Sequence, residues 1–267
     1  MGKLYLIPCK HDIEASLEIA RKYDAHFEYN DFYNPDTLDD ENAVSELISF
    51  YKSLPRDRSH DSLHGVFLDI AIHSSDRLIR QVSDQRIRKS MDIASELGIE
   101  SVIFHTNLIP HFKNSSYVSG WVEKNAEYWR NLAMEYPALN IYIENMFDDE
   151  PDALIRLMEK VSDVANVKAC LDYAHANVFG HRSAQWLALL PYVAHIHIND
   201  NDGISDSHMP LGAGIIDYKP LDHAIRYAHA TPTVLIETSR PQDQLQSIEY
   251  LKKNGIYPFE KGGTANA

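Results

Sequence analysis

The sequence predicts an α/β fold, a single (β/α)8 barrel of the TIM type, and three observations predict it. Strand-like and helix-like patterns alternate strictly along the 267 residues, eight of each, at roughly 30 residues per unit. The strand stretches are apolar on both faces, as in SVIFH (101–105), which suits a parallel sheet covered by helices. The turn after the first strand reads PCKHD and has no glycine, so the phosphate-binding turn of an open doubly wound sheet is missing. No linker or charge run divides the chain. Residues 1–258 are expected to form one domain and 259–267 a flexible tail.

Each element has a local reason. KLYLIP (3–8) reads as a strand, and His11–Tyr23 as a helix with Ile13, Leu17, Ile19 and Ala20 on one side. HFEYN (26–30) is the second strand. Pro35, Asp39 and Asp40 open a helix over 41–53, with Val44, Leu47, Ile48 and Tyr51 at helical spacing. SLHGVF (62–67) is the third strand; Ser75 or Asp76 then caps a helix that Gly98 stops after Leu97. SVIFH is the fourth strand, followed by a helix at 119–135, and NIYIEN (140–145) is the fifth. Pro151 sits near the first turn of the next helix. VKACLDYAH (167–175) is the sixth strand, running into a helix start, and Ser183–Leu190 is a short helix. VAHIHIN (193–199) alternates with a period of two and forms the seventh strand. Tyr218–His229, PTVLIET (232–238) and Gln242–Asn254 complete the series as helix, strand and helix.

Composition narrows the function. Lys and Arg number 25 against 39 Asp and Glu, a formal charge of −14. Nucleic-acid binders carry a basic face, because phosphate contacts supply most of their affinity, and no basic patch is evident. No apolar run approaches the roughly 20 residues of a membrane helix. The N-terminus lacks a signal-peptide layout, so a cytoplasmic location is expected. Cys9 and Cys170 make neither a disulfide framework nor a cysteine zinc site.

The chemistry of such a barrel sits at the C-terminal ends of its strands. Strand two presents Glu28 and Asn30, strand three His64, strand four His105 and strand five Glu144. Strand six presents Asp172 and His175, strand seven His197 with Asp206 and His208 in its loop, and strand eight Glu237. One histidine at a strand end is usually a hydrogen-bonded structural residue. Six successive strand ends of this kind converge on one mouth, where burying so many carboxylates and imidazoles without a cation is costly. A bound divalent metal is therefore expected; imidazole with carboxylate suits zinc, manganese, iron or cobalt and not calcium.

These residues carry a resemblance to the xylose-isomerase-like barrels, which include sugar-phosphate isomerases, ketose 3-epimerases and the class IV type apurinic endonucleases. The matching pieces are IYIEN, CLDYAH, HIHINDNDG, DSHMPLGAGIIDY and IETS, with SLHGVF and VIFH upstream, over about residues 3–255. The resemblance implies one core cation on Glu144, Asp172, His197 and Glu237. The endonuclease branch extends that core to three zinc ions, whose extra ligands match His64 and His105 on one side and His175, Asp206 and His208 on the other. Between one and three ions per chain are thus implied. Barrels of this family often self-associate, so a homo-oligomer is implied as well.

Two enzyme readings follow from the resemblance. In the favoured one, a sugar or sugar phosphate is isomerised or epimerised through an enediolate. Glu144 and Glu237 move protons on opposite faces, and His175 orients ligands or a substrate oxygen. His64 and His105 contact substrate, and Lys113 and Arg240 are the cations placed to meet a phosphate. The loop DNDGISDSH then acts as a substrate lid with mobile glycines. In the alternative, two or three zinc ions hydrolyse a phosphate ester. The loop TNLIPHF after His105 departs from the endonuclease turn, and NDNDG lacks the arginine that ketose epimerases place after the strand-seven histidine. A barrel that binds metal or sugar without catalysis is a third reading.

Overall fold

The computed structural model describes residues 3–260 except 113, 181 and 182. Eight strands close into a barrel in chain order: β1 (Leu4–Leu6), β2 (His26–Tyr29), β3 (Ser62–His64), β4 (Ser101–His105), β5 (Asn140–Glu144), β6 (Val167–Asp172), β7 (Val193–Ile198) and β8 (Thr233–Ile236). The fold is a single (β/α)8 TIM barrel, as the alternation of patterns predicts. Pairing is parallel: Leu4 lies opposite Val234, Ser62 opposite Ser101, and β4 runs beside β5 from Ser101–Asn140 to His105–Glu144. Most of the proposed tail, residues 261–267, lies outside the described residues. No helix of the described residues is long and apolar enough to cross a membrane.

The helices are α1 (Ile13–Tyr23), α2 (Pro35–Asp39), α3 (Glu41–Ser53), α4 (Arg77–Leu97), α5 (Ser115–Glu135), α6 (Asp152–Lys160), α7 (Tyr173–Val178), α8 (Ser183–Trp186), α9 (Lys219–Tyr227) and α10 (Pro241–Asn254). Side-chain caps set several starts. Asp76 accepts from Leu78 N at the head of α4, and Gly98 ends that helix at φ 69°, where a side chain would be strained. Asn114 accepts from the amides of Ser116 and Tyr117, which starts α5 four residues earlier than hydrophobic spacing predicts. Asn34 and Asp40 each cap a helix, so the stretch after Pro35 is two helices, α2 and α3, rather than one.

The chain packs as two compact units, residues 1–27, 149–151 and 170–267 (the terminal unit) and residues 28–148 and 152–169 (the central unit). In the central unit α4 buries Ile87, Met91 and Ala94 completely, and Phe104 of β4 stacks on Trp129 of α5 at 5.3 Å. Full burial of each such apolar side chain contributes about 1.5–3 kcal/mol. Strand β3 is shorter than expected. It stops at His64, and the following Gly65 has no room for a side chain: a Cβ there would lie 2.4 Å from the Phe104 ring and 2.9 Å from Ile103 O. Before β3, buried Asp61 accepts two bonds from Arg56, at 3.0 and 2.9 Å, and one from Tyr29 at 2.6 Å. That satisfaction is what makes a buried carboxylate tolerable.

In the terminal unit β7 and β8 run in register from His195–Thr233 to Ile198–Ile236. Ile196, Leu235 and Ile236 are fully buried. Strand six ends at Asp172 and passes directly into α7.

Candidate metal centre

The central unit brings three of the sequence-named residues together. Parallel register sets His105 opposite Glu144, and Gly65 N bonds to Ile103 O, which holds the end of β3 against β4. His105 Nε2 lies 3.0 Å and His64 Nε2 3.7 Å from the same oxygen, Glu144 Oε2. His64 Nδ1 is 3.1 Å from Gly65 O. In the tautomer that donates from Nδ1 to that carbonyl, Nε2 turns its lone pair toward Glu144. His105 Nδ1 rests 3.0 Å from Met146 Sδ. All three side chains are buried, Glu144 completely. Their ligand atoms lie within 4.8 Å of one another. Two imidazole nitrogens and a carboxylate oxygen so gathered fit zinc, manganese, iron or cobalt.

The terminal unit holds a second gathering. Asp172 divides its carboxylate: Oδ1 caps α7 by accepting His175 N at 2.7 Å, and Oδ2 stands 3.5 Å from His175 Nδ1. The spacing of the D-x-x-H motif is thus a capping geometry that aims both side chains. His175 Nε2 and His208 Nε2 reach one oxygen, Asp206 Oδ2, at 3.2 and 3.1 Å. His208 Nδ1 lies 3.0 Å from Glu237 O, and His197 Nδ1 is 3.7 Å from Glu237 Oε2. With Nδ1–H given to a carbonyl, His208 Nε2 faces a carboxylate only if a second proton or a cation lies between them. Burial works to lower the His208 pKa, but the charges of Glu237, Asp206 and Asp172 outweigh it and push it up to about 10. Burial works to raise the Asp206 carboxyl, yet hydrogen bonds from His175 and His208 hold it well below the usual range.

The loop after β7 is pinned at its base. Asp200 exchanges both backbone bonds with Met209, at 2.7 and 2.8 Å. Its carboxylate accepts from the amides of Asn201, Ile216 and Gly212 at 3.0, 3.1 and 2.9 Å. Asn201 reaches Ala174 O and accepts from Asn177. Two glycines, Gly212 and Gly214, let the backbone close on this clamp. A Cβ on Gly214 would lie 2.4 Å from Asp200 Oδ1, and Gly212, at φ 83°, presses on the Tyr250 ring. His208 itself is held at φ 45°, a strained backbone for a residue with a side chain.

Arg240 does not join these hydrogen bonds. Its guanidinium makes a two-point ion pair with Asp243 at 2.7 and 3.1 Å. Lys113 lies outside the described residues. Sequence reading passed over Asn199, which is fully buried and donates to Glu237 Oε2 at 3.4 Å. It also passed over Tyr218, whose hydroxyl donates to Asn199 O. Asn199 was visible as the polar residue two after His197, on the same strand face.

A profile of xylose isomerase-like TIM barrels matches residues 58–254. The chain belongs to the xylose isomerase-like TIM barrel family. A probable endonuclease 4 of Mycobacterium ulcerans is 24% identical over 206 residues, covering 72% of this chain and 77% of that one. Among solved structures, the TTHB071 protein of Thermus thermophilus, soaked with ZnCl2, superposes with a TM-score of 0.71 at 24% identity, over 93% of this chain and 96% of that one. A D-tagatose 3-epimerase-like protein gives a TM-score of 0.71 at 23% identity, over 94% and 96%. Family membership points to an enzyme, the solved neighbours share its fold, and the two gatherings above are candidate sites for a divalent metal.

Proposed function

We propose that this family member is a divalent-metal-dependent isomerase or epimerase of a sugar or sugar phosphate. By the family resemblance, Glu144, Asp172, His197 and Glu237 would hold that cation. The reading rests on one observation: two carboxylates at strand ends, Glu144 and Glu237, are both buried and both face imidazole. The epimerase-like neighbour and the acidic chain favour a small polar substrate over DNA.

The cation, when bound, polarises a sugar carbonyl and its neighbouring hydroxyl and so acidifies the C–H between them. Glu144 and Glu237 then take and return the proton, one on each face of the substrate, which inverts or relocates the stereocentre. His64 and His105 hold Glu144 Oε2 in place and contact substrate oxygens. Asn199 steadies Glu237 through Oε2. His175, set by the Asp172 cap, orients the ligands around it.

Elemental analysis of the purified chain, followed by incubation with ketoses and ketose phosphates in D2O, tests the reading. About one zinc, manganese, iron or cobalt per chain is expected, with deuterium entering the carbon beside the carbonyl. Loss of exchange after chelation and its return on adding metal supports the reading; exchange that ignores chelation sinks it.

A second reading has its own observation. His175, Asp206 and His208 place three ligand atoms within 4.8 Å, and a relative is a probable endonuclease 4. Two or three tightly held zincs per chain, with phosphodiester cleavage, would establish a zinc hydrolase instead.

A further inference from the structure

Asn199 follows the last residue of β7 in the terminal unit and is fully buried. Its Nδ2 donates to Glu237 Oε2 at 3.4 Å. That bond decides which way the amide faces, because a carboxylate accepts hydrogen bonds and repels a carbonyl oxygen. Oδ1 is therefore the end turned away from Glu237. Among the described residues, Asn199 Oδ1 has no hydrogen-bond partner.

The donors closest along the chain are committed elsewhere. Glu237 N bonds to Ile198 O and Thr238 N to Ile236 O, both at 2.9 Å. Asp200 N bonds to Met209 O at 2.7 Å, and Asn201 N to Asp200 Oδ1 at 3.0 Å. The Tyr218 hydroxyl donates to the backbone oxygen of Asn199 itself. Asn199 is thus fixed by Tyr218 at its backbone and by Glu237 at its side-chain nitrogen, while one buried acceptor stays open. A buried carbonyl oxygen without a donor is destabilising, and such atoms are rare enough in folded proteins to need a reason. An amide oxygen accepts and cannot donate. It suits a hydroxyl and repels a ketone, ether or ester oxygen at the same place.

We infer that Asn199 Oδ1 accepts a hydroxyl of the substrate, so that one amide holds the Glu237 carboxylate with its nitrogen and selects a polyhydroxylated ketose with its oxygen. The inference rests on the isomerase reading and deepens it. The selected hydroxyl lies close to the carbon on which Glu237 acts, because the two ends of one amide serve both. A substrate analogue with that hydroxyl removed, methylated or esterified is refused.

The test is calorimetry on the purified, metal-loaded protein with D-tagatose and D-fructose. Derivatives follow in which each hydroxyl in turn is replaced by hydrogen or by fluorine, which cannot donate. The same series is run on Asn199→Ala, or on Asn199→Leu, which has a similar shape, if the alanine variant does not fold. In the wild type, loss of one particular hydroxyl is expected to weaken binding about tenfold, for hydrogen and fluorine alike. In the variant, loss of that same hydroxyl changes affinity by less than about twofold. A hydroxyl that meets only the cation shows its full penalty in both proteins. Equal penalties in both proteins at every hydroxyl overturn the contact; if deuterium still exchanges, the isomerase reading stands without it. Ketoses that neither bind nor exchange deuterium overturn that reading and the inference with it.

Discussion

Each unit gathers three ligand-type side chains, but by different means. In the central unit, His64, His105 and Glu144 stand on the ends of three hydrogen-bonded strands, so the sheet itself fixes their spacing. In the terminal unit, Asp206 and His208 ride on a loop, and only His175 belongs to a regular element. The loop compensates with a polar clamp: Asp200 accepts three backbone amides, and two glycines let the backbone close on it. Strand-borne ligands come with the fold. Loop-borne ligands need dedicated residues that touch nothing of the substrate.

Four measurements break or sharpen that contrast. Glu144→Gln keeps the size of the strand-end cluster and removes its charge, so turnover should fall about a thousandfold with the melting temperature nearly unchanged. Activity near wild type would remove Glu144 from the chemistry. On the other side, Asp200→Asn replaces an acceptor of three amides with a group that repels one or more. Amide hydrogen exchange at Gly212 and Ile216 should speed up about tenfold or more, with protection in β4 and β5 retained. Equal loss at both places would mean that the loop clamp is not separable from the barrel.

Gly65→Ala tests the strand side by packing. The added methyl meets the Phe104 ring and Ile103 O, and destabilisation of about 1–3 kcal/mol is expected in denaturant titration. The smallest effect concerns two histidines pushed in opposite directions. His73 is lowered to about 4 by burial, helped by the Lys124 charge, and Tyr117 OH lies 3.3 Å from its Nε2. Its folded pKa lies below the unfolded value, so the unfolded chain binds the extra proton and stability rises with pH from about 4 to 6.5. His73→Gln should flatten that rise. His208 is raised instead, so in metal-free protein its charge stabilises below pH 6.5 and is lost as pH rises toward about 10. NMR titration of the two rings that gave the same direction would erase the electrostatic contrast.

The strand-borne half was the more legible in the sequence. Eight apolar strands, the last six ending in a residue of ligand type, are local signals, and His64, His105 and Glu144 followed from them. The start of α5 was missed because Asn114 extends the helix beyond its hydrophobic periodicity. Helix α2 was missed because five residues give no measurable period. The clamp escaped for a different reason. Asp200 bonds to amides as far as sixteen residues away, and nothing in a polar, glycine-rich loop says whether its glycines loosen it or close it.

The clamp also separates the loop into a fixed frame and an open end. Ile204, at the tip, is 85% exposed, and the amides of Ile204 and Ser205 bond only to Asp202 close by. Lengthening a segment whose two ends are already held adds little closure cost, about 0.6 kcal/mol for each doubling. The tip is therefore a natural socket: a reporter peptide or a recognition sequence grafted between Ile204 and Ser205 would be carried outside the barrel mouth while Asp206 and His208 stay where the clamp puts them.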